Sequence, residues 1–594
     1  MKQRLAIVAA LIVLVFCAHA PALRARFVWD DTALVLRDPL IRSWRLIPES
    51  FDHFLFTDAT ASNFYRPVQR LSYTAEYGAF AFRPAPYHFD NVVLHAAAVI
   101  ALFFFALGFF ELFGIAKTKL LIIAALASAA WALHPLHSAV VEYVSGRADS
   151  LAALFGFCGL CCLIHAQRGK VRTGILLYIV AFIALLASAL SKENGLVFTG
   201  IAIALVALRA RKESTIALIL GVAFVVTTYF TLRMQAGSAD VPRLTPPAPA
   251  IVRPIIAARA LAEYSGLLVL PLHLHMERDV ESHPSGLNEA SLRANSWREL
   301  ETIGGMLLFA GLLVWMLRSF QRNPAVFALL VFAAIAYVPV SGIFALNATM
   351  AEHWIYVPSA LLLLAIGAQL SALHLGKRLG YISLAATCCW ILLLGARSFV
   401  RAQDWQDERT FFSRTIAAGG DSARMLVNLG VLEMNDRHLD EAKSLFQRAL
   451  QKTPEQPFAL IDLGAVALKQ NDFVAARQLL ARAEQNPVTA ARARDISAVL
   501  EYRETGKLDL PLLRLASRTG EPSWAISERY IRALGESGRV QLAVIELRSV
   551  LASEWYRADS WQLMGEYLTE LGYGTQAALA FINAERFDVH LHAH

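Results

Sequence analysis

The chain has 594 residues, of which 56 % are hydrophobic and only 17 % are Asp, Glu, Lys or Arg, against about 25 % in soluble globular proteins. The deficit is concentrated in charge-free runs such as Leu120–Ala132, Leu176–Leu190, Ile216–Leu232 and Phe327–Ile335, each inside a window of roughly 15–20 apolar residues that can cross about 30 Å of hydrocarbon as a helix. A wholly soluble protein is excluded, and the net charge of +7 lies mostly in short loops between these runs, where it sets membrane orientation rather than marking a nucleic-acid surface.

In chain order the predicted spans are 5–20, 89–113, 119–134, 149–166, 174–190, 196–209, 215–232, 302–317, 325–343, 357–373 and 381–396, eleven in all. The first follows Lys2 and Arg4 and ends in Cys17-Ala18-His19-Ala20, which also has the form of a secretory signal. We expect an uncleaved anchor, because Asp30-Asp31 follow at once and need holding at the membrane surface. Cys17, Cys158, Cys161, Cys162, Cys388 and Cys389 all fall in apolar segments and read as small core residues rather than a disulfide or zinc framework.

Alternate connections carry Lys2/Arg4, Lys117/Lys119, Arg168/Lys170/Arg172, Arg209/Arg211/Lys212, Arg318/Arg322 and Lys377/Arg378, fourteen cations against the single acid Glu213. The loop 21–88 on the opposite side has eight Arg, no Lys and seven acids. The basic bias of cytoplasmic loops therefore puts the N-terminus inside, and the long loops 21–88 and 233–301 outside with the C-terminal third. Segment 255–272 is apolar but interrupted by Arg259 and Glu263 on one helical face. A span there would invert everything after it, so an interfacial or re-entrant helix is expected, entered through the Pro-rich stretch 241–254.

Polar residues gather on the outer side. Trp29-Asp30-Asp31 stands just beyond the first span, where repulsion and burial raise a carboxylate's pKa toward that of a general base; either Asp can equally cap a helix beginning near Thr32. Asn63-Phe64-Tyr65-Arg66-Pro67 follows in the same loop. His88, Asn91 and His95 share one helical face, and hydrogen bonding within the bundle is expected over metal binding, since no third ligand of matching spacing is local. Next come His134-Pro135-Leu136-His137 with Glu142, and Ser145-Gly146-Arg147-Ala148-Asp149, where Arg147 can hold a phosphate or pair with Asp149. Ser191-Lys192-Glu193-Asn194-Gly195 and Glu352-His353-Trp354-Ile355-Tyr356 complete the set. Clusters repeated on one face predict a shared cavity opening outward. Such a cavity suits a phosphate-linked lipid, or an anion to be transported, although 1–397 shows no repeated halves of the kind many transporters have.

After Arg397 the pattern becomes amphipathic and rich in Ala, Leu, Arg and Glu. Leu429-Gly430, Ala442, Leu445 and Ala449 recur 34 residues later as Leu463-Gly464, Ala476, Leu479 and Ala483. Two tetratricopeptide-like units, about 422–454 and 456–487, are legible, and a solenoid of such units presents a groove suited to an extended peptide.

The ordered set from Trp29-Asp30-Asp31 through Tyr65-Arg66-Pro67, His134-Pro135-Leu136-His137, Gly146-Arg147-Ala148-Asp149, Ser191-Lys192-Glu193-Asn194-Gly195 and Glu352 to the repeats resembles the transmembrane and tetratricopeptide-repeat-containing protein O-mannosyltransferases, over essentially the whole chain. The resemblance implies a bacterial relative of all-α fold: a polytopic GT-C-type transmembrane helix bundle over 1–397, then a tetratricopeptide-repeat-like α-solenoid over 398–594. It implies an inner-membrane protein with a cytoplasmic N-terminus and a periplasmic solenoid. The reaction implied is inverting transfer of a sugar, mannose by resemblance alone, from a polyprenyl-phosphate donor to Ser or Thr of an exported protein. A glycan or lipid acceptor, or a transporter or scaffold whose repeats recruit protein partners, is the alternative. Carried onto this chain, the base is Asp31 or Asp30, with Asp31 narrowly preferred, and Glu142 supports positioning. Arg66, His88, His134, His137, Arg147, Lys192, Glu352 and His353 become donor or phosphate contacts, with no metal or cofactor. His353 departs from the family pattern, in which an arginine commonly follows the glutamate.

Overall fold

The computed structural model describes all residues except 58–62, 168–170, 209–211, 238–248, 279, 281–295, 345, 347, 374–375, 521–522 and 592–594. Arg168, Lys170, Arg209 and Arg211, and most of the Pro-rich stretch 241–254, therefore lie outside the described residues. Among the described residues the fold is all-α, with one isolated bridge between Arg278 and Met350 and no sheet.

The first two-thirds contain α1 (Lys2–Ala18), α2 (Pro67–Phe80), α3 (Pro84–Leu112), α4 (Lys117–Ala132), α5 (Arg147–Ala166), α6 (Val171–Ser191), α7 (Leu196–Ala207), α8 (Lys212–Gln235), α9 (Arg253–Val269), α10 (Ser296–Arg322), α11 (Pro324–Tyr337), α12 (Tyr356–Ala372) and α13 (Lys377–Ala402). A helix occupies each of the eleven apolar stretches; among the described residues α2, α9 and the four-residue helices Glu49–Asp52 and Ser138–Val141 are additional. Among the described residues seven helices are long and apolar enough to cross a membrane, and an eighth is if the bent pair Lys119–Ala132 and Pro135–Val141 counts as one span, while α7 and α11 are shorter. The chain is a polytopic membrane protein.

Helix α3 is apolar over most of its length beyond His95 and mostly buried, packed against α4 and α5. Helices α8, α10 and α13 instead turn Leu220, Phe309 and Leu393 outward, a surface suited to lipid. Lipid tails give such helices no hydrophobic reason to associate, so close approach at small residues holds them together. A methyl group on Gly305 would overlap the Ala258 carbonyl, which seats α10 on α9. On α9, Arg259 donates to Thr302 Oγ1 at 2.9 Å, and Glu263 accepts from Arg278 at 3.1 Å, so the two charges of this segment look to neighbouring elements rather than to each other. The cysteines correct the core reading: Cys17, Cys388 and Cys389 are exposed, because α1 and α13 run at the edge of the bundle and turn them outward.

Helix α13 passes through a short turn, Gln403–Trp405, into α14 (Glu408–Ala417) and the solenoid. Five antiparallel pairs follow: α15 (Ala423–Asn435) with α16 (Leu439–Lys452), α17 (Pro457–Lys469) with α18 (Phe473–Glu484), α19 (Ala490–Thr505) with α20 (Leu510–Ser517), α21 (Trp524–Glu536) with α22 (Val540–Ser553), and α23 (Ala558–Glu570) with α24 (Gly574–Phe587). Ser422, Asp472 and Asp509 cap α15, α18 and α20 through bonds to backbone N–H groups. Within each pair the turn passes through one left-handed residue: Arg437, Asn471, Gly506, Gly538 and Gly572.

Both ends of the solenoid rest on the loop between α1 and α3. At its start, Phe411 stacks on Trp29 with ring centroids 5.8 Å apart. At its end, Asp588 accepts from Arg42 Nη1 at 3.0 Å and from Tyr77 Oη at 2.6 Å, over a cluster of Leu40, Leu46, Tyr556 and Phe587.

Candidate functional site

The Trp29-Asp30-Asp31 turn lies where α14 and α15 meet the membrane bundle. Trp29 has φ +54°, a left-handed conformation that costs a bulky residue free energy and persists only under external support. That support is visible: the indole lies between Tyr143 and Phe411, and its backbone N–H donates to Glu408 Oε1 at 3.1 Å.

The strained turn sends the two carboxylates to different places. Asp31 is buried; its Oδ1 accepts from Ser145 N at 2.7 Å and Ser145 Oγ at 2.6 Å, and its Oδ2 accepts from Val28 N at 3.1 Å. Burial pushes the Asp31 carboxyl up to about 7, against the pull of those hydrogen bonds. It stands at the start of the helical turn Thr32–Leu36 without capping it, and instead ties loop 21–88 to the Ser145 turn. Asp30 is only half-buried. Its backbone N–H donates to Tyr143 Oη at 3.0 Å. Burial raises the Asp30 carboxyl above its ordinary range, while the Tyr143 hydroxyl and the charges of Arg424 and Arg66 pull it down.

A second group of charges faces this turn. Glu193 accepts from Arg66 Nε at 2.9 Å and from Tyr65 N at 2.8 Å, which pins the Tyr65-Arg66-Pro67 segment to the turn after α6. Lys192 Nζ lies 2.7 Å from both oxygens of Asp149. Arg66 and Lys192 are both within electrostatic reach of His353, whose Nδ1 has no hydrogen-bond partner among the described residues. Asp30, Arg66, Glu193 and His353 are the half-buried members, so they form the reachable rim.

The remaining candidates are engaged inside the protein. Arg147 donates to Asn91 Oδ1 at 2.9 Å, to Tyr87 O at 3.0 Å and to Glu76, its ion-pair partner; the Arg147–Asp149 pair offered as one of two readings is not formed, Asp149 pairing with Lys192 instead. His88 bonds the Arg26 carbonyl at 3.2 Å, His134 the Leu268 carbonyl at 3.0 Å, and His137 the Trp131 carbonyl at 2.8 Å together with Ser359 Oγ at 3.2 Å. His95 lies between Tyr356 Oη at 2.7 Å and the Ala132 carbonyl at 3.0 Å. Glu142 is buried with its Oε1 2.5 Å from His19 Nδ1. Glu352 is buried too, clamped by His275 N at 2.7 Å and Arg278 Nε at 3.0 Å, with Arg401 at 3.5 Å. The histidines share a reason: the Arg26, Ala132, Trp131 and Leu268 carbonyls lie in a loop or at a helix end and need donors, whereas Glu142 and Glu352 accept from their neighbours.

Two participants were not singled out from the sequence. Tyr143 supplies the hydroxyl beside Asp30, and Arg424 of α15 lies over the Trp29 ring at 5.1 Å while pairing with Glu277 at 2.6 Å. Tyr143 adjoins the flagged Glu142, whereas nothing in the repeat pattern distinguishes Arg424. Among the described residues, Glu433, His438 and Glu441 form the group compact enough for a metal ion, but they lie on the solenoid, and Glu433 is already paired with Arg409 and His438.

Fold and site together define a membrane helix bundle with a charged turn roofed by a tetratricopeptide-like solenoid. Tetratricopeptide-repeat family patterns match residues 434–499 and 393–457. The chain is similar, at 26 % identity over 75 % of its length, to a protein O-mannosyl-transferase of Caenorhabditis elegans, and at 24 % over 74 % to the protein O-mannosyl-transferase TMTC3 of Homo sapiens. It covers 62 % and 50 % of those two proteins, so it spans little more than half their length. Among solved structures, ArnT from Cupriavidus metallidurans bound to undecaprenyl phosphate aligns over 82 % of this chain and 79 % of its own at 14 % identity, but the TM-score of 0.35 is too low to carry an argument.

Proposed function

We propose that this chain is an inverting glycosyltransferase of GT-C type that moves a sugar, mannose in our reading, from a polyprenyl-phosphate carrier to a Ser or Thr hydroxyl of an exported protein. The observation that carries the reading is the carboxylate of the half-buried Asp30, held at a strained turn beside Tyr143 and within reach of the Arg66 and Arg424 charges. Similarity to proteins named O-mannosyl-transferases supports the reaction class, and the charge bias of the loops supports a periplasmic site.

In this mechanism Asp30 takes the proton of the acceptor hydroxyl as its oxygen attacks the anomeric carbon. The bond from that carbon to the carrier phosphate breaks, and the phosphate departs with the negative charge. Arg66 and Lys192, with His353 beside them, stabilise that charge best in the transition state, where it grows. Asp31 holds the turn rather than taking the proton, which shifts the role from the carboxylate the sequence favoured to its neighbour.

The test is incubation of purified protein with labelled polyprenyl-phosphate mannose and a periplasmic extract, followed by identification of the labelled species. Label on Ser or Thr of a protein is expected. Label confined to lipid or free glycan would remove the protein acceptor, and no transfer at all would remove the reaction.

A further inference from the structure

A second polar feature lies where α1 and α13 end, on the side of the solenoid. A cavity of about 560 Å³ is lined by Arg24, Arg414, Gln403 and Gln406 over an apolar floor of Pro21 and Phe399. Arg24 belongs to the turn after α1, the two glutamines follow α13, and Arg414 stands on α14. Both arginines are exposed, and neither has a carboxylate within 4 Å among the described residues. Phe399 and Val400, exposed on the last turn of α13, extend the floor toward the lipid.

We propose that this cavity binds the headgroup of an anionic phospholipid, with the phosphate between Arg24 and Arg414 and the acyl chains along Phe399 and Val400. Three observations converge. The ends of two apolar helices fix the height of the cavity at the membrane boundary, where headgroups lie. Two guanidinium groups without acidic partners match a phosphate in charge and in hydrogen-bond geometry. The apolar strip running from the cavity along α13 gives a lipid, unlike a soluble anion, something to cover. Gln406 Nε2 donates to the Pro21 carbonyl at 3.0 Å and so fixes the cavity wall. Helix α14 carries Arg414 here and Glu408 and Phe411 against Trp29, so the bound lipid braces the helix that supports the strained turn. This inference is independent of the sugar-transfer reading.

Native mass spectrometry of the full chain in mild detergent tests it, with phosphatidylglycerol and phosphatidylcholine as probes. The wild type should bind one phosphatidylglycerol roughly tenfold more tightly than phosphatidylcholine, and the exposed-site variant R24Q/R414Q should lose that preference. A control variant, K443Q/R448Q on the solenoid, should keep it. Equal phosphatidylglycerol binding by wild type and R24Q/R414Q, or equal loss in the control, would overturn the site. Displacement of the lipid by inorganic phosphate or polyprenyl phosphate at equal concentration would overturn its assignment to a phospholipid.

Discussion

Asp30 and Asp31 are adjacent in sequence, yet their surroundings separate their roles. Asp31 accepts three hydrogen bonds inside the protein, so Asp31→Ala strands the N–H groups of Val28 and Ser145. The expected cost is about 1–3 kcal/mol of stability, visible as a lowered midpoint of thermal unfolding in detergent. Asp30 carries its carboxylate at the rim, so Asp30→Asn should leave that midpoint unchanged while reducing transfer by roughly 10²–10⁴-fold, the range for loss of a general base. The pH profile follows from the direction of the shift. A base works deprotonated, and burial raises the Asp30 carboxyl, so transfer should fall on acidification at a pH above about 4, where an ordinary aspartate titrates. An acid limb at or below that value, or full transfer by Asp30→Asn, would remove Asp30 from the reaction.

At the scale of elements, Arg147 holds three helices together. Its guanidinium reaches Glu76 on α2, Asn91 and the Tyr87 carbonyl on α3, from the first residue of α5. Arg147→Met leaves Glu76 buried without its cation and should cost about 3–5 kcal/mol, read as loss of the folded species in size-exclusion of the purified protein. Glu76→Gln combined with Arg147→Met should recover part of it, because the uncompensated charge is then gone. This network also shows where reading the sequence stops. The apolar stretches reappear as helices because length and hydrophobicity are local properties. Arg147 looked suited to Asp149, two residues away, but pairs with Glu76 across 71 positions, and Asp149 goes to Lys192 across 43. Partner choice among buried charges depends on which loops the bundle brings together, which no local pattern encodes. The solenoid was half legible for a different reason. Its third and fourth pairs lose the Leu-Gly signature and the fifth has Met564-Gly565, but all three keep the left-handed turn residue as Gly506, Gly538 and Gly572. Spacings of 34, 35, 32 and 34 from Arg437 through Gly572 carry the repeat across the two middle pairs, and the last pair regains the packing, with Gly565 against Phe581 as Gly430 is against Phe446. Gly572→Ala should accordingly cost roughly 1–2 kcal/mol, measurable as earlier unfolding of α23 and α24 by hydrogen exchange.

For the whole molecule, the consequence of a solenoid attached at both ends is that its two attachments do different things. The first is made by α14, whose Phe411 and Glu408 hold Trp29 in its left-handed conformation one residue before Asp30. The second is made by Asp588 on Arg42 and Tyr77, neither of which bonds Trp29, Asp30 or Asp31, although Arg42 also donates to the Leu36 carbonyl at 3.0 Å, at the far end of the helical turn that follows. Releasing the second attachment should therefore free the end of the solenoid without dismantling the site. Asp588→Ala removes the shared acceptor of a cation and a buried phenol, so α23 and α24 should gain hydrogen exchange and protease sensitivity while α15 to α18 keep their protection. Transfer to a short free peptide should stay near wild type in that variant. Phe411→Ala acts on the other attachment: the Trp29 turn loses the ring that offsets its strain, and transfer to the same peptide should fall along with local protection of residues 27–32. Loss of transfer in Asp588→Ala equal to that in Phe411→Ala would mean that the whole arch, rather than its first turn alone, sets the position of Asp30.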